Sequence, residues 1–401
     1  MIKRYAVDGS WVFCTSGIVW QKIKVSSQTT VKMHGCKAAT LNDRVGGNMG
    51  GCPQMTMAAG LIAAMSGSFL VMAAAVFAAK GIVLINYSVC GLLTRPGMWS
   101  LLHPRTRHKK QNALMVEAQI PCVLGGMNTI IYVGDMISFA KFAQFSYNRE
   151  DDAGQDKKDF EDLIKEGINL KEVKFEDLPK SLQDKGLWDD SDGTGFHAKI
   201  FKDDLGRIVV AYRGTVTDDK DLLNKDIKAN AEQGLHQESK QYNEAMDLSK
   251  KIDKAYPDDE VVFVGHSKGG GEAAAAGTIT GRPTYTYNSA GLSEETVERY
   301  SEGSKSLKDS KHIIALNSNT DILSMAQDNK FFIAGALSQV PFVGKLIAPV
   351  VASIPQAAGK RTSLVTDKTF HPIDNHSLEP LIRAMEKKRE SPAIDVIAKD
   401  L

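Results

Sequence analysis

The chain has 401 residues, of which 43% are hydrophobic and 24% are charged. This length allows two domains that each bury a core, and the composition is that of a folded protein rather than a disordered one. The 49 basic and 48 acidic residues give a net charge of +1. A nearly neutral chain has no electrostatic reason to bind nucleic acid, so we expect no nucleic-acid partner.

All five cysteines, Cys14, Cys36, Cys52, Cys90 and Cys122, lie in the first third of the chain. Their odd number and the lack of a CxxC pair argue against a full disulfide framework and against a zinc signature, so we expect buried free thiols. The first residues are basic, but no apolar segment follows them, and a secretory signal peptide is therefore not predicted. Export would need another route.

The composition changes near residue 150, where a region rich in Gly, Cys, Met and Ala gives way to a charged stretch. Just before this change, residues 136–147 have helical apolar spacing and are predicted to form the first helix of a second domain. We therefore place the domain boundary near Gly134, which divides the chain into residues 1–133 and residues 134–401.

Two apolar segments each allow two interpretations. Residues 57–79 carry no charge, and about 20 such residues can span a membrane, but their Ala and Gly content also fits a buried helical hairpin. Residues 331–358 contain Pro341, Pro349 and Pro355, which argue against a straight spanning helix. For this second segment we expect either a packed helical insertion or a lid over an apolar pocket.

Strand and helix signals alternate in the second part of the chain. The predicted elements are a hairpin (197–202 and 207–212), a helix (231–256), a strand (260–265), a helix (270–277) and a strand (311–316). Strands that alternate with helices are typical of a largely parallel sheet covered on both faces. The predicted fold class is therefore α/β.

The five residues at 265–269, with the sequence GHSKG, stand between the apolar strand and the Ala-rich helix. This strand–turn–helix context is that of a nucleophile elbow, in which the serine sits on a strained turn. Side chains at the two glycine positions would collide with the neighbouring strand and helix. We therefore predict that Ser267 is a nucleophile.

A serine hydroxyl needs a general base, and in this fold the chain order is serine, acid, histidine. The histidines after the serine are His312, His371 and His376. His312 lies inside a predicted strand and precedes the favoured acid, Asp321, so it does not fit the expected chain order. We favour His376 over its rival His371, because His376 stands just before an amphipathic helix near the end of the domain.

The orienting acid is expected directly after a late strand. Asp321 follows the strand 311–316 closely and is our candidate, whereas Asp309 and Asp328 are less well placed. The alternative for Asp321 is that it simply caps the helix that follows it.

Ester hydrolysis also requires hydrogen-bond donors for a developing oxyanion. One donor is expected to be the backbone N–H of Lys268, directly after the nucleophile. The second is expected from residues 213–215, where Thr215 can offer its N–H and its hydroxyl, unless this segment is a plain turn. We expect the side chain of Lys268 to be a surface charge near the site.

Several motifs in order resemble the class 3 lipase group, and most of all its bacterial Mbeg1-like branch. They are residues 209–215, 264–270 and 287–292 and the pair Asp321/His376, and the resemblance covers roughly residues 135–390. It implies an α/β-hydrolase fold, a catalytic triad of Ser267, Asp321 and His376, an oxyanion threonine at Thr215, and ester-bearing lipids as substrates. It implies no cofactor for catalysis. The long insertion at 331–358 departs from typical members.

The first 133 residues resemble a PAAR-like domain of the kind that tips type VI secretion spikes. The matching pieces are Tyr5–Ser10 with Cys14, Lys32–Thr40 with Asp43, Gly50–Pro53, and Ile120–Cys122 with Gly125 and Gly126. The resemblance implies a smaller β-rich domain that carries the hydrolase into another cell, here with the unexpectedly long apolar segment 57–79. Some such tips hold a structural metal. His34 and Cys36 are the candidate ligands, and the sequence assigns no complete ligand set.

The sequence therefore predicts an antibacterial lipase or phospholipase that is exported without a signal peptide and acts on lipid in the periplasm or membrane of a target cell. The expected partners are a type VI spike protein, bound through residues 1–133, and a cognate immunity protein. Two alternatives stay open. One is an intracellular esterase anchored in the membrane by residues 57–79, and the other is a catalytically inactive hydrolase fold that binds a partner.

Overall fold

A computed structural model describes ten stretches of the chain, which fall into two units. The described residues are 4–17, 19–47, 49, 52, 89–108, 110–147, 171–339, 348–349, 351–366 and 371–389. The first unit comprises residues 1–135, 362–365 and 385–401, and the second comprises residues 136–361 and 366–384. The apolar segment 57–79 lies outside the described residues. Within the described part of the chain, no helix has the length and apolar character needed to cross a membrane.

The first unit is rich in short antiparallel strands, as the sequence predicted. Its elements are β1 (Trp11–Cys14), β2 (Gln21–Lys24), β3 (Lys32–Met33), β4 (Cys36–Lys37), β5 (Arg44–Val45), α1 (Val89–Leu93), β6 (Leu102–His108), β7 (Gln111–Leu114), β8 (Gln119–Pro121) and β9 (Met127–Ile131). One sheet has the order β5-β2-β1-β9-β8, and β3–β4 and β6–β7 form hairpins. Val12, Ile23, Trp99 and Ile130 are among the buried residues of its core.

The candidate metal ligands His34 and Cys36 belong to the β3–β4 hairpin. His34 and Gly35 both have positive φ values, of 45° and 86°, which is the geometry of a two-residue hairpin turn. Among the described residues, no group of three or more His, Cys, Asp or Glu side chains is arranged to hold a metal ion. The structural metal therefore stays a prediction.

The expectation of buried thiols holds for two of the five cysteines. Cys14 and Cys52 are buried, whereas Cys36, Cys90 and Cys122 are half-buried. Burial, together with the neighbouring Cys90, Cys52 and Cys122, raises the pKa of Cys14 to about 11. Because this value lies far above neutral pH, the Cys14 thiol stays protonated and is a poor nucleophile.

The second unit combines one sheet with helices, so the predicted α/β class is confirmed. Its strands are β10 (Lys171–Glu172), β11 (Asp189–Asp190), β12 (Phe196–Lys202), β13 (Ile208–Tyr212), β14 (Val261–His266), β15 (Thr284–Tyr287) and β16 (Ile313–Ser318). A last strand, β17 (Lys360–Leu364), begins in this unit and ends in residues assigned to the first. The order of the strands in the second unit is β10-β12-β13-β14-β15-β16, with β11 beside β12. β12 and β13 form the predicted antiparallel hairpin, and β13 to β16 pair in parallel.

The helices of this part of the chain follow the strands. They are α2 (Val133–Phe145), α3 (Lys220–Gly234), α4 (Lys240–Ala255), α5 (Lys268–Thr280), α6 (Glu294–Tyr300), α7 (Ile322–Asp328), α8 (Lys330–Ser338) and α9 (Leu378–Glu386). All residues of β13 and β14 are buried, as expected for parallel strands covered on both faces. The sheet thereby provides a rigid support for the loops at its carboxyl edge.

The predicted helix 231–256 is wrong in its extent, because two helices occupy this region. Helix α3 ends at Gly234 and α4 begins at Lys240. Between them His236 has a φ of 58°, a left-handed conformation that cannot continue a right-handed helix. The buried face of this region belongs to α4, where Ala245, Met246 and Leu248 are buried.

Helix α5 lies close to the sheet because it is built from small residues. A Cβ atom added at Gly277 would lie 2.2 Å from Oγ1 of Thr284 on β15. We expect Gly277→Ala to lower the free energy of unfolding by about 1–3 kcal/mol, because it overpacks this contact.

The matched control is Gly234→Ala at the end of α3, where an added Cβ atom would meet nothing within 4 Å. This variant should be neutral or slightly stabilising, since alanine costs less conformational entropy in a helix than glycine. Urea unfolding measures both. Equal stabilities of the two variants would contradict the close packing of α5.

Candidate active site

Ser267 stands at a sharp turn between β14 and α5. The turn requires glycine two residues before the serine and two residues after it. The serine's φ of 56° and ψ of −125° are unusual for a residue with a side chain. A Cβ atom at Gly265 would lie 2.1 Å from the carbonyl oxygen of Gly269, and one at Gly269 would lie 2.2 Å from that of Tyr212. These contacts agree with the steric argument made from the sequence.

The structure brings Ser267, His376 and Asp321 together in one hydrogen-bonded chain. His376 Nε2 lies 2.8 Å from Ser267 Oγ, and His376 Nδ1 lies 2.6 Å from Asp321 Oδ1. With the imidazole neutral, Nδ1–H donates to the carboxylate, and Nε2 is then free to accept the serine proton. The geometry is that of a nucleophile, a base and an orienting acid.

The sequence allowed two roles for Asp321, a contact with the histidine and a cap of the next helix, and Asp321 makes both contacts. Its Oδ1 accepts from His376, and its Oδ2 accepts the backbone N–H of Ser324 at 2.7 Å, which caps helix α7. The carboxylate is fully buried. Asp321 can therefore cap α7 and orient the histidine at the same time, because its carboxylate has two oxygens.

The rival residues have other surroundings. His371 is exposed, and His312 Nε2 bonds to the carbonyl oxygen of Gly277 at 2.9 Å. Of the alternative acids, Asp309 accepts the backbone N–H of Ser306 at 2.9 Å within a capping box, and Asp328 pairs with Arg361 at 2.6 Å.

A cleft of about 900 Å³ contains the serine and the histidine. Its lining residues include Tyr147, Thr215, Ser267, Ile322, Ile373 and His376. Ile322 and Ile373 expose 48% and 74% of their surface, so the mouth of the cleft is partly apolar. Thr215, the predicted oxyanion residue, faces this cleft, and its hydroxyl accepts from Asn230 Nδ2 at 3.4 Å. The Lys268 backbone N–H belongs to the first turn of α5, where helix donors lack intrahelical partners.

A family model described as phospholipase-like, the Tle-like phospholipase domain, matches residues 140–369. The chain belongs to this family. An extracellular phospholipase A1 of Serratia liquefaciens is 37% identical over 121 residues, which are 30% of this chain. These residues span about one third (33%) of the length of that relative. The family match begins after the PAAR-like region, so that resemblance stays a prediction.

The loop that carries His376 follows the residues matched by the family model, and it is fastened by residues that sequence reasoning missed. The carbonyl oxygen of His376 lies 2.6 Å from His266 Nε2 and 3.0 Å from Asn288 Nδ2. Since a carbonyl only accepts, His266 Nε2 carries the proton and its Nδ1 accepts from the Tyr147 hydroxyl at 2.8 Å. Burial and the neighbouring His376 lower the pKa of His266 to about 3, which keeps it neutral.

The prediction that the Lys268 side chain is a surface charge is wrong. Its ammonium group is fully buried in the Tle-like domain and lies 2.8 Å from Asp226 Oδ1, 3.2 Å from Glu272 Oε1 and 2.5 Å from Gln241 Oε1. Lysine is rarely buried without partners, and its partners here lie on α3, α4 and α5. A detectable signal was Glu272, four residues after Lys268 in an otherwise small and apolar helix.

The segment 331–358 is described in part. Residues 330–338 form α8, where Phe331 and Phe332 expose 72% and 80% of their surface. The helical character expected for the start of this insertion is thus present, whereas residues 340–347 lie outside the described residues. A lid function stays a prediction.

Glu272 makes the stability of the domain depend on pH. Burial raises its pKa from 4.5 to about 7, although Lys268 opposes the shift. Between these two values the unfolded carboxyl is ionised while the folded one keeps its proton. Stability is therefore greatest below pH 4.5 as far as this group is concerned, and falls by up to about 3 kcal/mol as the pH rises to 7.

We expect Glu272→Gln to reduce this fall, because the amide does not ionise. Urea unfolding at pH 5 and pH 8 measures the difference between the variant and the unmodified chain. The exposed Glu298→Gln serves as the control and should keep the original pH dependence. Identical pH dependence of Glu272→Gln and the unmodified chain would show that Glu272 does not titrate in this range.

Proposed function

We propose that the second unit is a phospholipase that cleaves carboxylic esters of membrane lipids with Ser267 as the nucleophile. The observation that carries the proposal is the 2.8 Å contact between Ser267 Oγ and His376 Nε2, with Asp321 on the far side of the imidazole. The family description and the name of the Serratia relative, an extracellular phospholipase A1, support this substrate class. The apolar mouth of the cleft suits acyl chains.

The proposed reaction has two steps. Ser267 Oγ attacks the ester carbonyl carbon while His376 Nε2 takes its proton, and Asp321 stabilises the imidazolium. The oxyanion accepts hydrogen bonds from the backbone N–H of Lys268 and from Thr215. His376 then gives the proton to the leaving alcohol, which departs as a lysolipid. In the second step His376 activates a water, which releases the fatty acid from the serine.

The topology supports an α/β-hydrolase fold as part of the same proposal. In that fold the elbow follows a central parallel strand, and the acid and the histidine come later in the chain. Here the elbow follows β14, Asp321 comes three residues after β16, and His376 directly precedes the segment that leads into α9. We propose the domain limits 1–133 and 134–401 together with this fold.

Ser267→Ala is expected to lower hydrolysis of a short-chain nitrophenyl ester at least about 10³-fold, since it removes the nucleophile. Ser304→Ala, which changes an exposed serine, is the matched control and should keep full activity. A fluorophosphonate probe should label the unmodified chain and this control. Full activity of Ser267→Ala would remove the enzyme proposal, and absence of any labelling would favour the inactive binding module.

Mass spectrometry of the products formed from mixed bacterial phospholipids tests the substrate class. We expect free fatty acids and lysophospholipids from the unmodified chain and neither from Ser267→Ala. Phosphorylated head groups as products would contradict cleavage of a carboxylic ester.

We further propose that residues 1–133 act as a spike-tip adaptor that delivers the enzyme by a type VI-like route to the periplasm or membrane of a target cell. The β-rich first unit and the PAAR-like resemblance support this role, and the extracellular description of the relative supports export. A cognate immunity protein would then protect the producing cell.

Secretion of the full chain tests delivery. We expect the protein in the medium of cells with a working type VI apparatus and not in the medium of cells that lack it. Secretion that is independent of the apparatus would contradict the adaptor role. Retention in the membrane fraction of the producing cell would favour the anchored esterase.

A further inference from the structure

A buried chain of contacts links the elbow to the loop that follows β13. Lys268 Nζ lies 2.8 Å from Asp226 Oδ1, and both side chains are completely buried. The other carboxylate oxygen, Asp226 Oδ2, accepts the backbone N–H of Val216 at 2.9 Å. Val216 directly follows Thr215. The side chain of one proposed oxyanion residue is therefore connected, through a single carboxylate on α3, to the backbone beside the other.

The surroundings of Lys268 indicate a fixed cation rather than a reactive amine. An ammonium group has three N–H donors, and Asp226, Gln241 and Glu272 lie within 2.5–3.2 Å of Nζ. Gln241 is itself oriented, because its Nε2 donates to the carbonyl oxygen of Thr194 at 2.7 Å. An ammonium group held between two buried carboxylates and the amide oxygen of Gln241 has little freedom to turn toward a substrate.

The loop after β13 has no regular secondary structure, so its position depends on such anchors. On its first side, Arg213 donates to the carbonyl oxygen of Gly195 at 3.1 Å. Next, Gly214 packs so closely against Tyr147 that an added Cβ atom would lie 1.8 Å from the Tyr147 hydroxyl. After it, Asp226 Oδ2 accepts the N–H of Val216. Of these three contacts, the last leads through Asp226 and Lys268 back to the elbow.

We propose that the Lys268–Asp226 ion pair is a positioning device that sets the distance between the two halves of the oxyanion hole. The pair acts through the N–H of Val216 and holds Thr215 in register with the backbone N–H of Lys268. The inference rests on the proposed function, because it assigns these two donors to the oxyanion. Lys268 and Asp226 are positioning residues here, and their charges do not touch the substrate.

The reaction should be sensitive to this device. A displacement of about 1 Å in a catalytic group can lower a rate about 10²-fold, and loss of one oxyanion donor costs about 10²–10³-fold in kcat. Oxyanion donors act on charge that develops in the transition state. A displaced loop should therefore lower kcat and leave KM nearly unchanged.

Two double variants separate positioning from burial of charge. Lys268→Met/Asp226→Asn and Lys268→Met/Asp226→Leu both remove the ion pair, so neither leaves a buried charge of that pair alone. Asparagine keeps an oxygen that can accept the Val216 N–H, whereas leucine does not. Near-UV circular dichroism and urea unfolding identify the folded variants, and nitrophenyl ester hydrolysis provides kcat and KM.

We expect kcat of the leucine variant to fall about 10²-fold relative to the asparagine variant, with KM changed by less than about 3-fold. Lys228→Met, which removes an exposed lysine from the same helix as Asp226, should match the unmodified chain. Ser267→Ala is measured in the same assay as the reference for serine-dependent hydrolysis.

The outcomes distinguish failure of the positioning role from failure of the proposed function. If hydrolysis depends on Ser267 but both variants keep the kcat of the unmodified chain, the positioning role is wrong and the proposed function stands. Equal losses of kcat in both variants would overturn the proposed route through the Val216 N–H, because the leucine change would then add nothing to the loss of the ion pair. If hydrolysis does not depend on Ser267, the proposed function fails and the inference fails with it.

Discussion

The strained backbone of Ser267 is the constraint on which the rest of the site depends. A residue with a side chain in this region of φ and ψ costs about 1–3 kcal/mol and persists only where its surroundings hold it. Here the Ser267 N–H donates to the carbonyl oxygen of Tyr287, and its own carbonyl accepts from Gly270 and Ala290 at 3.0 and 2.8 Å. Backbone hydrogen bonds to β15, to α5 and to the loop after β15 thus keep Oγ directed at His376.

The two neighbours of the serine extend this control in different directions. His266, before it, donates to the carbonyl oxygen of His376 and so fastens the loop of the base. Lys268, after it, pairs with Asp226 and so reaches the loop of Thr215. A single turn therefore supplies the proposed nucleophile together with the side chains that hold the other parts of the site. This explains why polar residues occupy both variable positions of a buried glycine-rich motif.

Features that depend on neighbouring residues could be predicted from the sequence, whereas features that depend on contacts between distant parts of the chain could not. The elbow, the order of Ser267, Asp321 and His376, and the parallel strands are visible because they depend on local patterns and on chain order. The partners Asp226 and Gln241 were not visible, since they lie on two other helices and no local rule joins them to Lys268, whereas Glu272 stands four residues later on the same helix. The break at His236 was missed for a similar reason, because the contacts of its imidazole are with Ser293 and Glu295, almost 60 residues later in the chain.

The sequence allowed two roles for Asp321, a helix cap and an acid that orients the histidine, and these two roles do not exclude each other. A cap fixes Oδ2 against the N–H of Ser324, and this leaves Oδ1 in one direction, toward His376. The cap is thus what makes the carboxylate a precise orienter of the imidazole. Helix α7 and the base are therefore positioned by the same group, and a change that frees the cap should also loosen the histidine.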